Sequence, residues 1–405
     1  MTTAAPAAFA PHDPSFVANP YPVYAELRSG PAAVFYEPTR QWLVPHYANV
    51  NALLRDRRLG RTYLHVATHA EMGRPDEPES LAPFWHIIRN GMLDRELPDH
   101  TRLRRLVAKA FTPRFVEGLR PRIQAITASL IEDVRDAGEF DLIAAIAEPL
   151  PVTVIADLLG VPEADRHLLR PWSADICLMY ELNPTDAMAR RAVRAATEFS
   201  EYLRALSRER RAAPGEDLIS ALAVVADQGD VLTEDELIGT CVLLLNAGHE
   251  ASVNGAGNGW WALFRNPDEL ERLRRDRSLI PTAVDELLRY DTPLQMFERW
   301  VLEEIQVDGI AIERGQELAL LFGSANRDPA VFADPDRLDV GRDPNPHISF
   351  GAGVHYCLGA PLARLELAIQ LDGVLTAFPE LELVEEPAWK AGYIIRGLRA
   401  LRVRG

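Results

Sequence analysis

Apolar residues recur along most of this chain with the spacing of buried helix faces. From Pro98 onward, Leu103, Leu106, Val107, Ala110 and Phe111 fall at i, i+3, i+4, i+7 and i+8, predicting an amphipathic helix that Thr112-Pro113 ends. Thr233 and Glu236 are placed as a capping box at the head of a long helix running through Leu243-Leu244-Leu245 towards Trp261. Asn266-Pro267-Asp268-Glu269 starts the next helix, and Pro281 opens one containing Glu286 and Arg289, because proline suits a first helical turn. Leu362 to about Phe378 predicts another. Short apolar or alternating runs at 41–44, 318–321 and 398–403 predict strands. Pro329, Pro335, Pro344 and Pro346 interrupt 326–349 too often for either regular element, so that stretch is expected to be an ordered meander. The pattern as a whole predicts a mainly α fold with small peripheral β-sheets.

Composition adds bounds. The 405 residues are 47% hydrophobic and 25% charged, enough for a large core. Residues 1–20, rich in Ala and Pro, are expected to be a flexible lead-in and 21–405 one domain. The lead-in has no cationic start followed by an apolar run, and no stretch reaches the roughly 18 apolar residues that span a bilayer. Neither a signal peptide nor a membrane anchor is therefore expected, and the expected location is cytoplasmic. A net charge of −16 disfavours a nucleic-acid partner, which needs an excess of Lys and Arg over a whole face. The three cysteines, Cys177, Cys241 and Cys357, are odd in number and far apart, which argues against a disulfide framework and a structural zinc site.

One cysteine stands apart. Residues 350–359, Phe350 to Gly359, place Cys357 at the end of a glycine-bearing loop directly before a helix. There a thiolate is stabilised by the positive end of the helix dipole and by backbone N–H groups, and glycines allow the backbone to approach a bulky planar ligand. A lone cysteine is ordinarily a small buried hydrophobe. The flanking pattern, Phe350-Gly351-x-Gly353-x-His355-x-Cys357-x-Gly359, resembles the signature of the cytochrome P450 family. Further segments follow the family's order. Glu286-Leu287-Leu288-Arg289 resembles its E-x-x-R element, although an i, i+3 ion pair alone is worth only a few tenths of a kcal/mol. Ala325-Asn326-Arg327-Asp328-Pro329 looks like its A-N-R-D-P turn, with Arg337 or Arg342 as the third charge of the cluster. The resemblance runs from the Pro98 helix to Arg396-Gly397-Leu398.

The resemblance implies the cytochrome P450 fold, haem b (iron protoporphyrin IX) and Cys357 as the axial ligand of its iron, a thiolate that favours O–O cleavage. Pro98 to Arg105 resembles the segment that holds the haem propionates. His100 and Arg104, four apart on one helix face, are assigned to them, while Arg102, Arg105 and Lys109 read as a solvated face. Arg299 and His355 match the remaining propionate contacts; His347 is another contact or orders its loop. Phe350 and Gly351 border the cofactor.

On the opposite face, Ala247-Gly248-His249-Glu250-Ala251-Ser252 resembles the family's A-G-x-x-T stretch. Leu244, Ala247, Gly248 and Ala251 form one small apolar stripe with room for O₂ and substrate, a stripe that helix packing would also produce. Gly248, Gly255, Gly257 and Gly259 each cost up to about 1 kcal/mol relative to Ala; only Gly248 is assigned a functional reason. The sequence departs from the family at Ala251, where a Thr is usual, so the acid–alcohol pair lacks its alcohol. Glu250 is the expected proton-relay group. Ser252, a substrate hydroxyl or ordered water replaces the alcohol; family members that tailor hydroxylated natural products carry this Ala, which favours the substrate.

The substrate pocket is expected to be largely apolar, bordered by Trp85, Met92, Met179, Leu244, Leu294, Phe297 and Tyr393. Electrons are expected from a ferredoxin and ferredoxin reductase, with Arg105, Lys109 and Arg114 as a local basic patch. The implied activity is insertion of one atom of O₂ into an apolar or natural-product-like small molecule. A peroxide-using or phenol-coupling haem enzyme and a non-enzymatic haem sensor are the competing readings.

Overall fold

A computed structural model describes residues 9–227 and 229–405. The helix predicted from Pro98 spans Asp99–Ala110 and turns His100, Leu103, Leu106 and Val107 inward. Thr112 then caps Pro113–Gly118, its hydroxyl accepting from the Phe115 N–H at 3.1 Å. The capping box closes in both directions: the Glu236 N–H donates to Thr233 Oγ1 (3.2 Å) and the Thr233 N–H to Glu236 Oε2 (2.9 Å). It starts the Glu234–Arg265 helix, whose 32 residues pack against Pro149–Leu159, Leu169–Cys177, Asp186–Ala212 and Ile280–Tyr290. A helix surrounded on several sides is apolar nearly all round, as Leu237 to Leu245 are.

Two strands sit deep in a five-stranded sheet. Its order is Val34–Tyr36, Gln41–Val44, Glu317–Leu320, Phe297–Val301 and Leu59–Gly60. Gln41–Val44 and Glu317–Leu320 run parallel and are buried throughout. The run at 398–403 contributes only Arg402–Arg404, paired between Glu382–Leu383 and Glu139–Asp141, because Leu398 and Leu401 serve as buried anchors instead. Of the 1–20 lead-in, residues 1–8 lie outside the described residues. Beyond them Asp13 caps the Pro14–Ala18 helix, and Phe9, Phe16 and Val17 are buried with Tyr24 and Tyr393.

The meander has no helix or strand between 326 and 352, yet it is fastened tightly. Glu286 and Arg289 are both 0% exposed and form a two-pronged pair, Nε to Oε2 at 2.7 Å and Nη2 to Oε1 at 2.8 Å. Arg289 also donates to the carbonyls of Asn326 (2.9 Å) and Pro335 (2.8 Å). Of the two candidates for the third charge, Arg342 takes the place, its Nε 3.0 Å from Glu286 Oε2. Arg337 supplies only its carbonyl to Arg289. Asn326 carries the restraint onward: its Oδ1 accepts from the Ile348 N–H and its Nδ2 donates to Ser349 Oγ, both at 2.8 Å, just ahead of the cysteine loop.

Candidate active site

The cysteine loop hangs from the meander and ends on the Ala360–Ala377 helix. Gly351 and Gly353 both adopt φ of +69°. At Gly353 a Cβ would stand 2.3 Å from the Leu54 carbonyl oxygen, so glycine is demanded by backbone packing on the Tyr47–Leu53 helix end. At Gly353 the expectation that the glycine serves approach to a planar ligand is corrected, because its close neighbour is protein. The Cys357 N–H donates to the Phe350 carbonyl at 3.0 Å, closing the loop on itself. Burial pushes the Cys357 thiol up, and the N–H groups of Gly359 and Ala360 together with the Arg104 guanidinium pull the other way. Arg104 reaches across from its helix to donate to the Tyr356 carbonyl at 2.6 Å, and the Phe350 ring lies beneath Arg364.

Beside this loop the protein gathers buried nitrogen donors. The His100 ring lies 4.3 Å from the His355 ring and is 2% exposed, with neither nitrogen bonded to protein. Burial, then the charges of His355 and Arg104, push His100 down to about 4. Arg299 is 3% exposed, donates only to the neighbouring Glu298 carbonyl (2.9 Å) and stacks 4.6 Å from the Phe297 ring. Burial lowers its guanidinium to about 9. Two carboxylates face His355: Asp94, 3.8 Å from Arg61 Nε, and Glu96, 3.4 Å from His355 Nε2, which burial would raise but which His355 and the Arg61 N–H hold below the usual carboxylate range. A buried guanidinium and an imidazole with no protein partner are unfavourable unless an anionic acceptor joins them. The donor set therefore fits the two propionates of a haem, and Cys357 fits its iron. His347 does not join; it pairs with Asp285 (3.1 Å) and accepts from the Ser349 N–H, so it orders its loop.

On the long helix, Ala247 is exposed although Leu245 and Asn246 beside it are buried, so the helix borders an open space there. Gly248 does not contribute to that space. A Cβ on it would stand 2.9 Å from Ile155 Cδ1, and those on Gly255, Gly257 and Gly259 would meet Leu288, Ile143 and Leu287. The functional reason assigned to Gly248 is corrected: all four glycines let neighbouring side chains pack against the helix. Glu250 pairs with Lys390, 3.3 Å away, which also donates to Asn254 Oδ1 at 3.0 Å. Ala251 and Ser252 are half-buried.

The expected pocket residues scatter. Leu244 and Met179 are half-buried against the main apolar cluster, Met92 lies within it, and Leu294 bridges to Ile395. Phe297 has the Arg61 and Arg299 guanidiniums 5.0 and 4.6 Å from its ring centre. Trp85 carries Arg89 over its ring. Tyr393 is corrected from pocket wall to core: it is 1% exposed among Phe9, Phe16 and Tyr24, and shares a 2.8 Å hydrogen bond with the Tyr24 hydroxyl. The supposed basic patch is partly engaged, Arg105 with Asp230 (3.3 Å) and Lys109 with the Ala226 carbonyl (3.3 Å). Sequence reading did not single out Glu96, Lys390 or Asn246, for which only the fold supplies the neighbours.

The sequence profile described as Cytochrome P450 matches residues 166–388. The chain belongs to the cytochrome P450 family. It is 40% identical over 399 residues to cytochrome P450 monooxygenase PikC of Streptomyces venezuelae, covering 96% of this chain and 92% of that one. It is 39% identical to 6-deoxyerythronolide B hydroxylase of Saccharopolyspora erythraea, covering 96% and 97%. The crystal structure of P450BioI in complex with a hexadec-9Z-enoic acid ligated acyl carrier protein superposes with a TM-score of 0.90 at 35% identity, covering 96% of this chain and 99% of that one. This P450 is accordingly a haem-dependent oxidoreductase of the monooxygenase class with the P450 fold. Among the described residues, no helix is long and apolar enough to cross a membrane.

Proposed function

We propose that this P450 binds haem b through Cys357 and hydroxylates an apolar, natural-product-like small molecule with electrons from a ferredoxin and its reductase in the cytoplasm. The cluster of buried nitrogen donors His100, His355 and Arg299 beside the Cys357 loop carries the reading, and the relative named for hydroxylating 6-deoxyerythronolide B supports the substrate class. When bound, haem supplies reductive activation of dioxygen at its iron. Cys357 would hold its iron through sulfur, with the Gly359 and Ala360 N–H groups and Arg104 favouring the thiolate. His100, His355, Arg104 and Arg299 would hold its propionates, with Phe350, Gly351 and Ala247 bordering the cofactor. Leu244 and Met179, with Met92, Leu294, Phe297 and Trp85, shape the substrate's surroundings.

Glu250 moves protons. Its partner Lys390 has a side chain 35% exposed, so the pair links the long helix to solvent. Ala251 cannot hold the proton path as a threonine would, and a substrate hydroxyl beside it takes that place, with Ser252 as the neighbouring alcohol. The test is reconstitution with a ferredoxin, its reductase and NADPH, with product counted per NADPH consumed for matched substrates with and without the hydroxyl. Coupling should fall for the deoxy substrate and recover in Ala251→Thr. Equal coupling in both would refute substrate assistance, and peroxide alone matching the O₂ rate would refute the monooxygenase reading.

A further inference from the structure

The pocket was expected to be apolar, yet beside the exposed Ala247 lie polar groups that the mechanism above does not use. Asn246 is one residue before the exposed Ala247 on the long helix. It is 3% exposed, and neither its amide nitrogen nor its amide oxygen has a hydrogen-bond partner in the protein. An amide left unpaired in an apolar interior is unfavourable by the strength of the bonds it forgoes, so such a group asks for a ligand. The Tyr180 hydroxyl lies beside that amide, brought there by the Leu178–Tyr180 turn after the Leu169–Cys177 helix, without reaching hydrogen-bond geometry to it. Asp94 stands near the same phenol, from the Met92–Asp94 turn, which packs against the long helix, and Arg61 reaches to 3.8 Å from its Oδ1. Burial keeps the Tyr180 phenol protonated, so it can both give and accept a hydrogen bond.

Three elements distant in sequence thus bring an amide, a phenol and a carboxylate together beside the exposed Ala247. An amide offers a donor and an acceptor, and a phenol offers both in one atom. Their common complement is an alcohol, which donates one hydrogen bond and accepts others; a ketone or ether lacks the donor. We propose that Asn246 and Tyr180, with Asp94 behind them, form a subsite that takes an alcohol group on the substrate, separate from any hydroxyl beside Ala251. The inference rests on the monooxygenase reading for the presence of an organic substrate over Ala247. The subsite orients an otherwise apolar molecule and selects for oxygenated ones, because a site built to hydrogen-bond a hydroxyl rejects the analogue that leaves its polar groups unpaired.

The test uses matched probes on the haem-loaded protein: testosterone against androst-4-en-3-one, and 12-hydroxydodecanoic acid against dodecanoic acid, by isothermal titration calorimetry. In at least one pair the alcohol should bind about tenfold more tightly. Asn246→Leu and Tyr180→Phe should each bring the two members within about twofold, leaving the affinity for the deoxy member unchanged or improved. Tyr180→Phe is the milder change and decides the matter if the leucine variant does not fold. Overturning results are a wild-type protein that binds the alcohols no more tightly than their deoxy partners, whether it binds all four or none, and a preference that survives both substitutions. The carbon monoxide difference spectrum of the reduced protein is read separately: loss of the thiolate-type band would remove the proposed function, whereas a normal band with no alcohol preference removes only the subsite.

Discussion

Replacing Glu286 with alanine separates two views of the E-x-x-R pair. Were it an ordinary exposed i, i+3 pair, its loss would cost a few tenths of a kcal/mol. In the fold the carboxylate accepts five hydrogen bonds, two from Arg289 and one each from Arg342, Asn345 and the Asp339 N–H. Removing it leaves Arg289, 0% exposed, as a buried cation with only carbonyl partners. Breaking a buried pair from one side costs about 3–5 kcal/mol. For a chain of this length each kcal/mol moves Tm by up to about 2 °C, so Glu286→Ala should lower Tm by up to about 6–10 °C. The same figure should appear in urea unfolding of the haem-loaded protein followed by circular dichroism. Glu286→Leu combined with Arg289→Leu should lose less than the sum of the two single changes, by more than about 1 kcal/mol, because no unpaired charge remains. A loss below about 1 kcal/mol for Glu286→Ala, or strict additivity of the leucine changes, would refute the reasoning.

Three further outcomes follow from the same geometry. Gly353→Ala places a Cβ against the Leu54 carbonyl at a positive φ, so haem incorporation, read as absorbance per protein, should fall severely; normal haem content would show the loop can shift. Gly248→Ala should lower Tm by a few degrees, and Ile155→Val in the same chain should recover part of it, because the shorter side chain vacates the position a Cβ needs; no recovery would contradict the packing role. Glu366 on the Ala360–Ala377 helix is 4% exposed, and burial pushes it up to about 8, well above the 4.5 of an ordinary glutamate. Between these values the folded chain keeps a proton that the unfolded chain releases, so its contribution is whole below about 4.5 and is lost as pH rises to about 8, at about 1.4 kcal/mol per pH unit. Glu366→Gln should flatten the Tm profile over that window and stabilise the protein most near pH 8; a profile parallel to wild type would refute the assignment.

Much of the fold and half of the site could be read from contiguous residues. The capping box at Thr233, the amphipathic run after Pro98 and the proline-broken meander are local, and the helix, helix and loop form where spacing and side-chain chemistry place them. His100 and His355 belong to short motifs, and the fold brings their rings to 4.3 Å. Gly248 and Tyr393 misled for one reason: a glycine in a helix or an aromatic near the end of the chain has a meaning only through what it faces. Ile155 decided the first and Tyr24 the second.

That Cys357 sits at the end of a glycine loop before a helix could be read from neighbouring residues, because loop, glycines and helix start lie within about ten positions. Only the tertiary structure decided that Arg342 closes the cluster at Glu286, 56 residues away, that Lys390 holds Glu250 from 140 residues away, and that Asn246 faces Tyr180 with its amide unpaired. These are matters of burial and partnership, and a side chain's charge, hydrogen bonds and solvent access are set by neighbours that chain spacing does not encode.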